Sequence, residues 1–231
     1  LMWAVAEGHL QTARALLDRG ADLEARTKDG FTALLFAARE PHVDVVTLLL
    51  DRGADINESA PDGSTPLLVA TVRGHVHGAL RLLERGAKPD GNFAVIGYTP
   101  LHWASGVFEG VITYDYPDAP GEWAALAGIP SREGKFALVK ALLAHGANVE
   151  ARITKQPPRY GFHLAKSGEL PGGTPFYLAA QAADVDLMRL LLANGASPDV
   201  RADNGTTALM MAAGIGHSDN ESRVPESDHV R

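Results

Sequence analysis

DGSTPLLVATVRGHVHGALRLLERGA, residues 62–87, reads as a turn followed by two short helices. Asp62-Gly63 makes a tight turn, with glycine supplying a backbone angle that other residues resist. Thr65 caps the helix that follows, and Pro66 takes its first position, where a missing N–H costs nothing. The pattern predicts a helix from Leu67 to about Val72, a break at Gly74-His75, and a second helix from His77 to Arg85 that closes on Gly86. Such a hairpin has one apolar face and too few residues to bury it alone.

The unit recurs. Gly20-Ala21, Gly53-Ala54 and Gly86-Ala87 stand 33 residues apart, and so do the capping threonines Thr32 and Thr65. This period, with TPLLVA (65–70), TPLHWA (99–104) and GANVEA (146–151), resembles the ankyrin-repeat family. The resemblance implies an all-α ankyrin-repeat solenoid of helix–turn–helix units with β-turn fingers. Six repeats are visible, the first and last incomplete. A fold of this kind presents many unrelated binding surfaces, so it does not by itself name a function.

Composition bounds the rest. The chain is 231 residues long, 45% apolar and 21% charged, which is globular rather than disordered for most of its length. In a repeat array each unit touches only its neighbours, so length counts units rather than cores. A net charge of −7 disfavours a nucleic-acid backbone as the main partner. No apolar run approaches the roughly 18 residues of a membrane helix, and no signal peptide is visible. With no cysteine there is no disulfide, no thiolate catalysis and no cysteine-ligated zinc.

Register divides the chain into an ankyrin-repeat domain over 1–216 and a polar tail or truncated insertion over 217–231. The repeats are about 1–26, 27–59, 60–92, 93–152, 153–202 and a partial 203–216. Second helices are expected over Gln11 to Arg19 and Val43 to Asp51, with Pro41 in place of the inter-helix glycine. From cap to closing glycine the distance is 21 residues in repeats two and three, but 47 from Thr99 to Gly146. That places 26 extra residues between the helices of repeat four, at 107–132. From Thr174 to Gly195 the distance is again 21, whereas the preceding turn is 16 residues too long, which places a second insertion at 155–170. Both ends cut through repeats, so the chain is expected to be an internal section of a longer protein.

Register also accounts for most residues that invite a chemical reading. His9, His42, His75 and His217 share the position after the inter-helix glycine or its substitute. His102 fills the family's histidine after TPL, where the resemblance implies an imidazole bonded to backbone in the turn; the other repeats lack it. His145 stands before the closing glycine, where Arg19, Arg52 and Arg85 stand, and a cation there suits a helix C-terminus. His77, His163 and His229 offer no ligand spacing. No metal, cofactor or catalytic residue is assigned: GxSxG, HExxH and P-loop patterns are missing. PGGTP at 171–175 is read as the return into the Thr174-Pro175 cap rather than a phosphate loop. Trp3, Phe36, Val69, Trp103, Leu178 and Met211 form one apolar column, read as core stacking.

The expected function is therefore protein–protein recognition by a chain that is not itself an enzyme. The resemblance implies binding through finger tips and concave faces of the first helices, which carries onto Lys28, Asp29, Phe31, Asp62, Ser64, Val95, Tyr98, Asn204 and Thr206. The insertions add Tyr114, Tyr116, Trp123, Tyr160 and Phe162, aromatics outside any column that either fold the loops back or anchor a partner. The alternatives are the targeting arm of a larger enzyme, or a structural component of a surface or fibre assembly. The insertions and relaxed consensus resemble bacterial members of the family, which implies an extracytoplasmic location.

Overall fold

A computed structural model describes residues 1–91, 93, 97–106, 129, 131–155 and 171–213. Among them the chain forms eleven α-helices and no strand beyond one isolated bridge between Arg201 and Thr207. They are α1 Met2–Ala6, α2 Leu10–Asp18, α3 Ala33–Arg39, α4 Val43–Asp51, α5 Pro66–Val72, α6 Val76–Glu84, α7 Pro100–Ser105, α8 Arg132–Ala144, α9 Pro175–Gln181, α10 Val185–Ala193 and α11 Ala208–Ala212. Odd-numbered helices up to α5 pair with the even helix that follows, and the same pairing continues with α7–α8 and α9–α10. Each hairpin then packs on the next, so the fold is an all-α solenoid.

The first helices start where the threonines are. Thr32, Thr65, Thr99, Thr174 and Thr207 each accept a hydrogen bond from the backbone N–H three residues on, through an extended N-cap. A cap of this kind contributes about 1 kcal/mol. Pro66, Pro100 and Pro175 occupy the first turn. The second helix of repeat two spans Val43–Asp51 as periodicity suggests, whereas those of repeats one and three begin one residue earlier, at Leu10 and Val76 rather than Gln11 and His77, and stop a residue short, at Asp18 and Glu84. The reason is that His9, His42 and His75 serve as N-cap residues and Arg19, Arg52 and Arg85 as C-caps. The glycine after each C-cap has φ between 80° and 96° at Gly20, Gly53 and Gly86, the left-handed conformation that ends a helix most readily with no Cβ.

Repeat four differs. Its second helix, α8, is 13 residues long where its counterparts have nine, and it opens one turn early on a Ser131 cap. Arg132, read from the sequence as the last inserted residue, is helical. Its guanidinium reaches Asp184 and Asp186 at the start of α10, at 3.0 and 2.9 Å, and lies 5.1 Å over the Phe136 ring. The extra turn is thus tied to the next repeat.

One apolar core runs the length of the array from Ala4 to Ala208, through Leu34, Leu49, Leu82, Leu101, Leu142 and Leu187. A second core lies beside it from repeat three onward, made of Leu68, Tyr98, Trp103, Ile153, Tyr177, Leu178, Ala202 and Met211. The column read as core stacking divides accordingly. Trp103, Leu178 and Met211 are buried, and Phe36 and Val69 are half-buried. Trp3 is 78% exposed, which corrects the sequence reading at that position. Among the described residues no helix is long and apolar enough to cross a membrane.

Candidate functional site

The fingers are closed by a repeated pair of main-chain bonds. Thr27 N–H donates to Phe31 O and Gly30 N–H to Thr27 O, both at 2.9 Å. Ala60 with Ser64 and Gly63, and Ala202 with Thr206 and Gly205, do the same. In repeat five Ile153 N–H donates to Gly173 O and Gly172 N–H to Ile153 O, at 2.9 and 2.6 Å. The same closure therefore spans twenty residues where the other fingers span four.

Successive fingers are then laced together. Arg26 donates to Gly30 O of its own finger at 2.9 Å and to Ser59 O of the next at 3.3 Å. Arg152, in the equivalent position, donates to Arg201 O at 2.7 Å. At the finger bases a side chain four residues past the closing glycine accepts from an N–H of the next repeat: Asn57 from Lys88, Asp90 from Asn148 and Glu150 from Ser197, at 2.8, 3.1 and 2.6 Å. Finger glycines sit flush on their neighbours. A Cβ on Gly30 would clash with the Pro61 ring, and one on Gly172 with Asp203.

Beneath the fingers, three interfaces carry three different polar ties. In repeat four, the Thr99 N–H and hydroxyl both meet His102 Nδ1, at 3.0 and 2.9 Å, and His102 Nε2 donates to Ala151 O of the next finger at 2.9 Å. Burial holds this imidazole neutral by lowering its pKa to about 4. In repeat two Leu35 stands where His102 does, and Glu58 enters from the next finger, in the slot of Ala151, to accept from the capping Thr32 hydroxyl. Burial raises the Glu58 pKa above the usual carboxylate range, although the Thr32 bond opposes it. In repeat five Tyr177 takes the slot and its hydroxyl meets Thr206 Oγ1 at 2.7 Å.

A family model described as "Ankyrin repeats (3 copies)" matches residues 1–60 and 131–220, more than half of the chain. The chain belongs to the ankyrin-repeat family. It is also 34% identical over 104 residues, 44% of its length, to an ankyrin repeat and KH domain-containing protein of Caenorhabditis briggsae. It spans 3% of that relative's length.

Within this ankyrin array the sequence-derived partner residues fall into three groups. Lys28, Asp29, Asp62 and Asn204 are exposed at finger tips, and Phe31 and Thr206 are half-buried beside them. Two assignments are corrected. Tyr98 is 1% exposed, its ring 6.2 Å from that of Trp103 in the second core. Ser64 is 6% exposed, and its carbonyl closes the finger on Ala60. Both precede a capping threonine, as the half-buried Phe31 and Thr206 do, so their deeper burial is set by what packs over them rather than by that position. Val95, Tyr114, Tyr116, Trp123, Tyr160 and Phe162 lie outside the described residues.

Sequence reasoning missed the arginine lacing and the Glu58 tie. For Glu58 a signal existed: it is a carboxylate in a slot that holds alanine at Ala25 and Ala151. It also missed two side chains that converge on the carbonyl of Arg39, at the end of α3. Arg73 Nε donates to Arg39 O at 3.3 Å, and His75 Nε2 donates to the same carbonyl at 2.9 Å. Among the described residues no group of three or more His, Asp or Glu is placed to hold a metal ion.

Proposed function

We propose that this chain is a non-catalytic recognition module that holds a protein partner across its finger tips and the adjoining first helices. The observation that carries the reading is the bracing of the fingers. Exposed side chains at Lys28, Asp29, Asp62 and Asn204 ride on turns closed by two main-chain bonds and laced to the next turn by Arg26 or Arg152. Side chains on a preorganised surface lose little ordering entropy when they bind. Membership of the ankyrin-repeat family, whose repeats generally mediate protein–protein interaction, supports the same reading.

The test compares wild type with a K28A/D29A/D62A/N204A variant as bait in cell extract, with quantitative mass spectrometry of what is retained. The expected result is that proteins held by wild type are lost at least tenfold from the variant, while its helical circular dichroism is unchanged. Equal retention by both would overturn the assignment of the tips.

A further inference from the structure

The finger side of the array is not uniform. In repeats four to six the helix column is closed, with Trp103 7%, Leu178 1% and Met211 3% exposed. In repeats two and three the equivalent Phe36 and Val69 are half-buried, and so are Phe31 and Val72 beside them. Phe31, on the finger, tilts at 48° onto Phe36, on α3, with ring centroids 5.9 Å apart. Phe36 and Val69 rest on the first core and Val72 on the second, so these half-buried side chains form a partly exposed apolar strip that runs from a finger to two first helices.

Cations stand at one end of this strip. Arg39 follows Phe36 by three residues and Arg73 follows Val69 by four, so each shares a helix face with its apolar partner. Arg73 is anchored through Nε on Arg39 O, which fixes the guanidinium beside Arg39. Among the described residues, Glu40, 3.9 Å from Arg39 Nε, is the one carboxylate paired with the two guanidinium groups. Burial lowers the Arg73 pKa, the Arg39 charge adds to the shift, and Glu40 opposes it. This local excess sits on a chain whose net charge is −7. A guanidinium fork is matched by a carboxylate, which it grips through two parallel N–H bonds.

We infer that Phe31, Phe36, Val69 and Val72 with Arg39 and Arg73 form a docking strip for a protein segment carrying an aromatic side chain next to a carboxylate. This deepens the recognition reading above and rests on it. The aromatic ring lies over the Phe31–Phe36 pair and Val69, and the carboxylate meets the Arg39–Arg73 end. A nucleic-acid strand is disfavoured because Asp29 and Asp62 stand on the same two fingers and would repel a continuous run of phosphates.

The experiment is an amide-resolved NMR titration of the whole chain with three capped heptapeptides: GSEWESG, GSKWKSG and GSEAESG. The expected result is that GSEWESG alone shifts amides clustered at 28–40 and 64–73, and that R39A/R73A weakens its binding at least fivefold while R39K/R73K weakens it less. Arginine truncation at these sites leaves the cores intact, which unchanged amide dispersion checks. The inference is overturned if GSEWESG binds nowhere, if its shifts cluster elsewhere, if all three peptides act alike, or if an oligothymidylate displaces it. Because the bait comparison above uses finger-tip variants, tip recognition and the strip can fail independently.

Discussion

His102 shows how one side chain can hold two repeats together and make the joint sensitive to acid. The unfolded chain protonates a histidine below about 6.5, whereas the buried His102 resists protonation until about 4. The unfolded state therefore takes up the proton first, and stability falls as pH drops from about 6.5 to about 4, by up to about 3 kcal/mol. Urea unfolding followed across that range should show a slope that the H102Q variant flattens by close to one proton. Glu58 acts in the opposite sense. Its pKa is raised in the folded chain, so the stability it contributes is full at pH below 4.5 and is lost as pH rises through the folded value. At pH 7 the E58Q variant is expected to melt no lower than wild type. E58A, which takes the acceptor from the buried Thr32 hydroxyl, should lose about 1–3 kcal/mol by chemical denaturation. At this scale the sequence was least legible. Tyr98, Ser64 and Trp3 were misplaced because their exposure is decided by what the neighbouring finger or helix covers, and no local pattern reports that. Tyr98 looks like a finger residue in TP-register, yet the second core closes over it.

At the scale of the element, caps and glycines set the boundaries, and these were readable because their causes are local. Thr65, Pro66 and Gly86 each announce themselves by type and spacing, and the helix ends fall within a residue of expectation. What periodicity could not show was the early start of α8, since the extra turn is held by Arg132 on Asp184 and Asp186 from another repeat. Two glycine substitutions separate backbone cost from stacking cost. Gly53 has φ of 94° and open space around its Cβ position, so G53A should lose about 1 kcal/mol from strain alone. Gly30 has φ of 78° and the Pro61 ring in the way, so G30A should lose clearly more. Melting temperatures of the two variants, measured side by side, make the comparison. A T65A change, removing the cap of α5, should lower stability by about 1 kcal/mol.

For the whole molecule, the 33-residue period carries the fold, and it was legible because stacked units must repeat the same apolar and polar positions to bury one continuous core. The interruptions in that period were equally visible as extra residues between fixed landmarks. Leu49 and Leu142 are fully buried in that core, so replacing either with alanine should cost about 2–5 kcal/mol in denaturant unfolding. Removing residues 155–170 should leave helical circular dichroism intact, because Ile153 still faces Gly172 and Gly173 across the finger. A collapse of the helical signal would show that the closure depends on the residues above it.

That closure has an evolutionary consequence. Two main-chain bonds join Ile153 to Gly172 and Gly173 across the finger of repeat five, and of these residues Gly172 alone is held to glycine by Asp203. If the deletion of 155–170 leaves the helical signal intact, a lineage can vary the residues between the two ends of that closure without re-solving how the row stays upright.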